Sequence, residues 1–253
     1  MTTAPVNPEL ATAGAHFWQG SFIDDEEAAR RLAELPDLAA QALAEPLPTE
    51  LVLSACQHVA DALATSGSPV RTRLLAELTG GGVDSGEAAA TLAEITGAIA
   101  RPALERKLRR ELGGLRPERL TRPDARETTF EAWAPVGLLV HIAPGNAAAV
   151  APLSVIEGLL TGNLNVLKTS SADTPLAQHL LAELAAADPT GTLARRIVAL
   201  RFPSARTEWL RLMMCIRDRW RSGAARTPSA RSPNWSPPAA AWSNGGTGSP
   251  SPT

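Results

Sequence analysis

The stretch that most constrains the fold is Val136-Gly137-Leu138-Leu139-Val140-His141-Ile142, followed at once by Ala143-Pro144-Gly145-Asn146. An unbroken apolar run with a β-branched bias predicts a strand buried on both faces, as in a parallel sheet. Residues 147–160 are apolar almost all round and predict a buried helix. Gly162-Asn163 is the stop expected after it, and residues 164–167 read as a second strand. Asp173-Thr174-Pro175 opens another helix, with proline in its first turn and a stripe of Leu176, Leu180 and Leu184. Residues 196–202 read as a third strand, and the alternating stretch 128–133 as one more ahead of the first. The order β-α-β-α-β at this spacing predicts a right-handed parallel α/β unit, half of a doubly wound sheet.

Upstream the pattern is helical. Residues 1–15 read as flexible, and Asp24-Asp25-Glu26-Glu27 opens a helix with acids at its positive end. Leu51, Val52, Ala55, Val59 and Leu63 recur at helical spacing. Gly80-Gly81-Gly82 is a break, Asp84 or Ser85 caps the next helix, and a further helix spans residues 101–112 with a solvated Arg/Lys/Glu face. The expected organisation is a mainly helical region over 1–125, a partial parallel-sheet domain over 126–213, and a disordered tail over 214–253.

The tail stands apart in composition. Residues 220–253 contain no Val, Ile, Leu, Met, Phe, Asp or Glu, yet hold three of the six tryptophans, six prolines and seven serines. Such a segment buries too little apolar surface to offset its ordering entropy. Met214-Cys215-Ile216-Arg217-Asp218-Arg219 resembles the translation of a transposon-end sequencing adapter. The expectation is that native sequence stops near Leu212 or Met213 and that the remainder is an adapter or frameshift product.

Charge excludes some partners. With Arg221, Arg226 and Arg231 set aside, 21 basic residues face 26 acidic ones, which argues against a nucleic-acid or anionic-membrane surface. No secretory leader and no run of apolar residues long enough for a membrane span is read, so a cytoplasmic protein is expected. Cys56 and Cys215 form neither a disulfide framework nor a metal-ligand spacing, and no metal site is expected. Cys56 reads as a small buried hydrophobe on a helix.

Ligands of such a sheet sit beyond the carboxyl ends of its strands. Ala143, Pro144, Gly145 and Asn146 follow the first strand, and Lys168, Thr169, Ser170 and Ser171 the second. A carboxamide, helix-start N–H groups, an ammonium and three hydroxyls therefore converge on one rim. That set suits a phosphorylated or ribose-bearing ligand and a developing oxyanion. Simpler roles exist for each: Asn146 as a helix cap, Lys168 as a surface residue, His141 as a satisfied core histidine. No Gly-x-Gly-x-x-Gly is present. Lys168 is one of only two lysines among 24 basic residues, and a compact point charge suits a ribose or phosphate contact.

Pro135-Val136-Gly137, Pro144-Gly145-Asn146, Gly162-Asn163 and Leu167-Lys168-Thr169-Ser170, in that order, resemble the cofactor-binding half of the aldehyde dehydrogenase superfamily. Gly145 in place of the usual Trp, within Val-His-Ile-Ala-Pro-Gly-Asn, is closer to the LuxC-type long-chain acyl-CoA reductases. The resemblance covers residues 128–205 most firmly. It implies a Rossmann-like sheet and NADPH-dependent reduction of a fatty acyl-CoA to an aldehyde through an acyl-cysteine, with NAD as the alternative cofactor. Asn146 matches the amide that donates to the thioester oxygen, and Lys168 the lysine on the adenosine ribose. Ser170 and Ser171 lie where a 2′-phosphate is held, and Ala143, Pro144 and Gly145 line the cofactor with backbone. The family nucleophile lies in a second domain, which neither Cys56 nor Cys215 matches, so a truncated and inactive N-terminal part is expected. A homo-oligomer or partner subunits are compatible with this. The rival readings are another oxidoreductase of the superfamily, such as an aldehyde dehydrogenase or a glutamyl-phosphate-type reductase, and a non-catalytic helical interaction protein.

Overall fold

The computed structural model describes residues 15–122, 125–143 and 148–221, the last five by backbone alone. Two short strands, β1 (His16–Trp18) and β2 (Ser21–Ile23), come first. Helices α1 (Asp25–Ala44), α2 (Thr49–Ala64), α3 (Pro69–Gly80), α4 (Ser85–Ile99) and α5 (Arg101–Leu112) follow. The α/β unit then runs β3 (Leu138–Ile142), α6 (Val150–Leu160), β4 (Leu164–Thr169), α7 (Leu176–Ala186), β5 (Ile197–Arg201) and α8 (Thr207–Arg221).

Local chemistry sets most of the helix ends. Asp24 caps α1 by accepting from the Glu27 N–H at 2.9 Å, and Asp84 caps α4 by accepting from Gly86 N–H at 2.8 Å. Helix α5 starts with proline at its first turn and ends on Gly113 in the left-handed region. Gly162, at φ 77°, reverses the chain between α6 and β4.

The sheet has the order β2-β1-β5-β4-β3. Strands β3, β4 and β5 are parallel, as expected, with Val140 opposite Val166 and Val166 opposite Val198. Alternation along β4 sends Leu164 and Val166 to one face and Leu167 to the other. The first face packs on α1 and α8, through Leu32, Leu35, Trp209 and Met213. The second packs on α6 and α7, over which α2 to α5 form a further helical layer sharing the same apolar core. Cys56 lies in that layer, fully buried, and burial pushes its thiol up to about 12.

The mainly helical N-terminal region also supplies a hairpin: β1 pairs antiparallel with β5, Phe17 opposite Ala199 and Trp18 opposite Val198. Three expectations need correction. Residues 128–133 form no strand; Thr121 and Glu131 make one isolated bridge, and Phe130 and Trp133 are 61% and 53% exposed. With no neighbouring strand or helix covering it, alternation there has no core to face. The strand buried on both faces is β4, which has a partner on each side, whereas in β3 only Leu138 is buried and Ile142 is 55% exposed. Finally, α8 continues to Arg221, where disorder was expected from Met214, because Trp209, Met213 and Ile216 form one buried stripe at helical spacing.

Candidate functional site

The carboxyl ends of β3, β4 and β5 form one rim. Ala143 follows β3 and donates its N–H to the Lys168 carbonyl at 3.1 Å; Phe202 follows β5 and donates to the Thr169 carbonyl at 3.2 Å. Ala143, Lys168, Ser170 and Ser171 are thereby brought to the same edge. Pro144, Gly145 and Asn146 lie outside the described residues.

Lys168 falls on the α1/α8 face of β4, by the alternation that puts Leu164 and Val166 there. Its side chain is 4% exposed, its ammonium donates to Ser204 Oγ at 3.0 Å, and it stands 5.6 Å from the centroid of the Phe202 ring. Among the described residues no carboxylate pairs with it. A nearly buried cation held by a hydroxyl and a ring face, with no counter-charge, is an arrangement suited to an anionic or hydroxyl-rich ligand.

Thr169 points to the opposite face, where Gln178 Nε2 donates to its Oγ1 at 2.8 Å. The next four residues make a tight turn. Ser170 N–H donates to Asp173 Oδ2 at 3.1 Å, and Ala172 N–H donates to Ser170 Oγ at 3.2 Å. Arg201, opposite Thr169 in the register, closes the turn from below: its Nε donates to the Asp173 carbonyl at 2.9 Å and its Nη2 to the Ser171 carbonyl at 2.6 Å.

Arg201, Phe202 and Ser204 were not singled out from the sequence. The rule that selected Ala143 and Lys168 selects them too, because they follow the third strand.

A cleft of about 200 Å³ opens at this rim, between Ala143, Thr169 and Asp173 of the sheet edge and Gly81 and Val83 of the α3–α4 corner. Gly81 seats that corner closely: a Cβ there would lie 2.3 Å from Thr174 Cγ2. The glycine break is therefore a contact between the helical layer and the rim. A second cleft, of about 360 Å³, lies between α5, α6 and β3, and includes His141. That histidine donates from Nε2 to Asn165 Oδ1 at 3.0 Å, and burial holds its ring below the usual imidazole range. It is half-buried and held through one ring nitrogen.

A polar cluster of another kind lies on the α1/α8 face and centres on one buried histidine. The fully buried His16 accepts the Arg201 N–H at Nδ1, 3.0 Å, and donates from Nε2 to Asp25 Oδ1, 2.8 Å. Asp25 also pairs with Arg206 at 2.6 Å, whose guanidinium covers Trp209. Both imidazole nitrogens are occupied, so the group braces β1, α1, β5 and α8.

Neither cysteine is at the rim. Cys56 is enclosed in α2, and the exposed Cys215 lies eight residues along α8, about 12 Å from its start. Among the described residues no group of three or more His, Cys, Asp and Glu side chains could hold a metal ion. No described helix is long and apolar enough to cross a membrane.

Three parallel strands joined by crossover helices on one face, with α1 and α8 on the other and a polar rim at the carboxyl ends, define an α/β protein. The family model described as acyl-CoA reductase (LuxC) matches residues 44–222, and the chain belongs to that family. The match begins at the end of α1 and runs past Met213 to the end of α8. No curated protein sequence matches the chain.

Proposed function

We propose that the rim binds NADPH, with NADH as the weaker ligand, in the reduction of a fatty acyl-CoA to its aldehyde. The observation that carries this reading is Lys168: in a chain of the acyl-CoA reductase family, it is almost buried at the carboxyl end of β4 with no carboxylate partner among the described residues. The donor set fits a dinucleotide. Two cations, Lys168 and Arg201, flank the end of β4 on opposite faces, both without a paired carboxylate among the described residues, and Ser170 and Ser171 follow that strand directly.

In this reading Lys168 exchanges its Ser204 partner for a ribose hydroxyl. Ser170 and Ser171 take the 2′-phosphate, and the backbone from Ala143 through Pro144 and Gly145 lines the ligand. Asn146 donates its amide to the thioester oxygen as negative charge develops there. The nicotinamide, when bound, supplies the hydride. The family reaction passes through an acyl-cysteine, and the two cysteines of this chain are poor candidates: the Cys56 thiol is held protonated by burial, and Cys215 stands away from the rim. Cofactor binding without turnover is therefore expected of the polypeptide.

Titration with NADPH, followed by tryptophan fluorescence or melting temperature, tests this. Lys168→Ala should weaken NADPH binding about tenfold or more, the scale of one charge-assisted hydrogen bond. A wild-type chain that responds to neither nicotinamide cofactor would instead support a non-catalytic interaction protein.

A further inference from the structure

We propose that Arg201 makes this rim prefer a dinucleotide bearing a phosphate on its adenosine ribose; the proposal rests on the cofactor reading above and assigns the preference to one residue. Arg201 is the last residue of β5, and its side chain lies on the face opposite Lys168, under the turn that carries Ser170 and Ser171. Two of its donors are used, Nε on the Asp173 carbonyl at 2.9 Å and Nη2 on the Ser171 carbonyl at 2.6 Å. Nη1 makes no hydrogen bond among the described residues, and no carboxylate there forms an ion pair with the guanidinium.

The turn itself uses none of the charge. Both acceptors are neutral carbonyls, which need N–H donors and not a cation. A permanent cation with a forked donor set, on a half-buried side chain, matches a dianionic phosphate in geometry and charge. The nearby acid is turned away from that role: Asp173 directs Oδ2 back onto the Ser170 N–H at 3.1 Å. Ser170 Oγ accepts from Ala172 N–H, which leaves its own proton free to donate to the phosphate. Lys168, on the other face of β4, is left to the ribose, so the two cations discriminate different parts of one ligand.

The test compares NADPH with NADH, and 2′,5′-ADP with 5′-AMP, on the full chain and on Arg201→Gln and Arg201→Lys. Expected for Arg201→Gln is a loss of about tenfold or more in affinity for NADPH and 2′,5′-ADP, with NADH and 5′-AMP changed less than about twofold. Arg201→Lys should recover part of the phosphate-dependent affinity, because charge is kept and the fork is lost. Retained binding of NADH serves as the folding control within each variant. Equal losses for both members of each pair would make Arg201 a turn-holding residue and overturn the proposal, as would an unchanged preference. A wild type that binds NADH as tightly as NADPH, or more so, also overturns it while leaving the cofactor reading intact. A wild type that binds neither overturns both.

Discussion

At the scale of single residues, the tightest constraint is at Gly158. A Cβ there would come 1.8 Å from Asn165 Oδ1 and 3.2 Å from Leu139 Cδ1. Asn165 cannot swing aside freely, because its Oδ1 accepts from His141 and its Nδ2 donates to the Asn163 carbonyl at 2.9 Å. Gly158→Ala should therefore destabilise the protein by about 1–3 kcal/mol despite the roughly 1 kcal/mol that alanine gains in a helix; urea unfolding measures it. The histidines set a pH dependence. Burial lowers both His16 and His141 below the imidazole value of 6.5, so the folded chain binds fewer protons than the unfolded one in that window. Their contribution is complete above about pH 6.5 and is lost as pH falls below it. The melting temperature should drop between pH 7 and pH 5, and His141→Gln should flatten the drop. That His141 has a partner was legible, because a histidine inside an apolar strand needs one; that it is only half-buried was not. Asn165 was not, because a buried asparagine is recognisable only once its neighbours across the sheet are known.

At the scale of elements, helix starts were the most legible features. Asp24 and Asp84 are capping residues whose chemistry acts over three positions, so sequence alone contains the whole interaction. The β1–β2 hairpin was invisible for the opposite reason. Its strands are three residues each, too short for periodicity, and its Gln19-Gly20 turn, at φ 46° and 100°, lacks the favoured Asn-Gly signal. What holds it is distant: Phe17 and Trp18 pair with β5, and Gln19 donates to the Ile197 carbonyl at 2.9 Å and, from its side chain, to the Arg195 carbonyl at 2.8 Å. Deleting residues 1–23 should uncover the backbone of β5 and yield an aggregating protein, seen as concentration-dependent light scattering. A monodisperse, fully folded deletion product would show the hairpin to be dispensable.

At the scale of the whole molecule, two buried clusters, one on each face of the sheet, join regions far apart in the chain. Helix α1 and helix α8, more than 160 residues apart, cover the same face. The two cysteines report on this enclosure. A maleimide should label Cys215 quickly and Cys56 only on unfolding, since burial raises the Cys56 thiol to about 12. A long-chain acyl-CoA should leave no acyl adduct on Cys56 by mass spectrometry; finding one would refute the inertness assigned to it. By itself the sequence determined the order of helices and parallel strands and the rim residues Ala143, Lys168, Ser170 and Ser171, because apolar periodicity, caps and strand ends are local signals. The tertiary structure alone decided that β4 is the buried strand, that the N-terminal hairpin closes β5, and that Arg201 and Ser204 join Lys168 and the serine turn. Those outcomes depend on which strand lies beside which, a matter of contacts between residues 26 or more positions apart, and no local pattern encodes them.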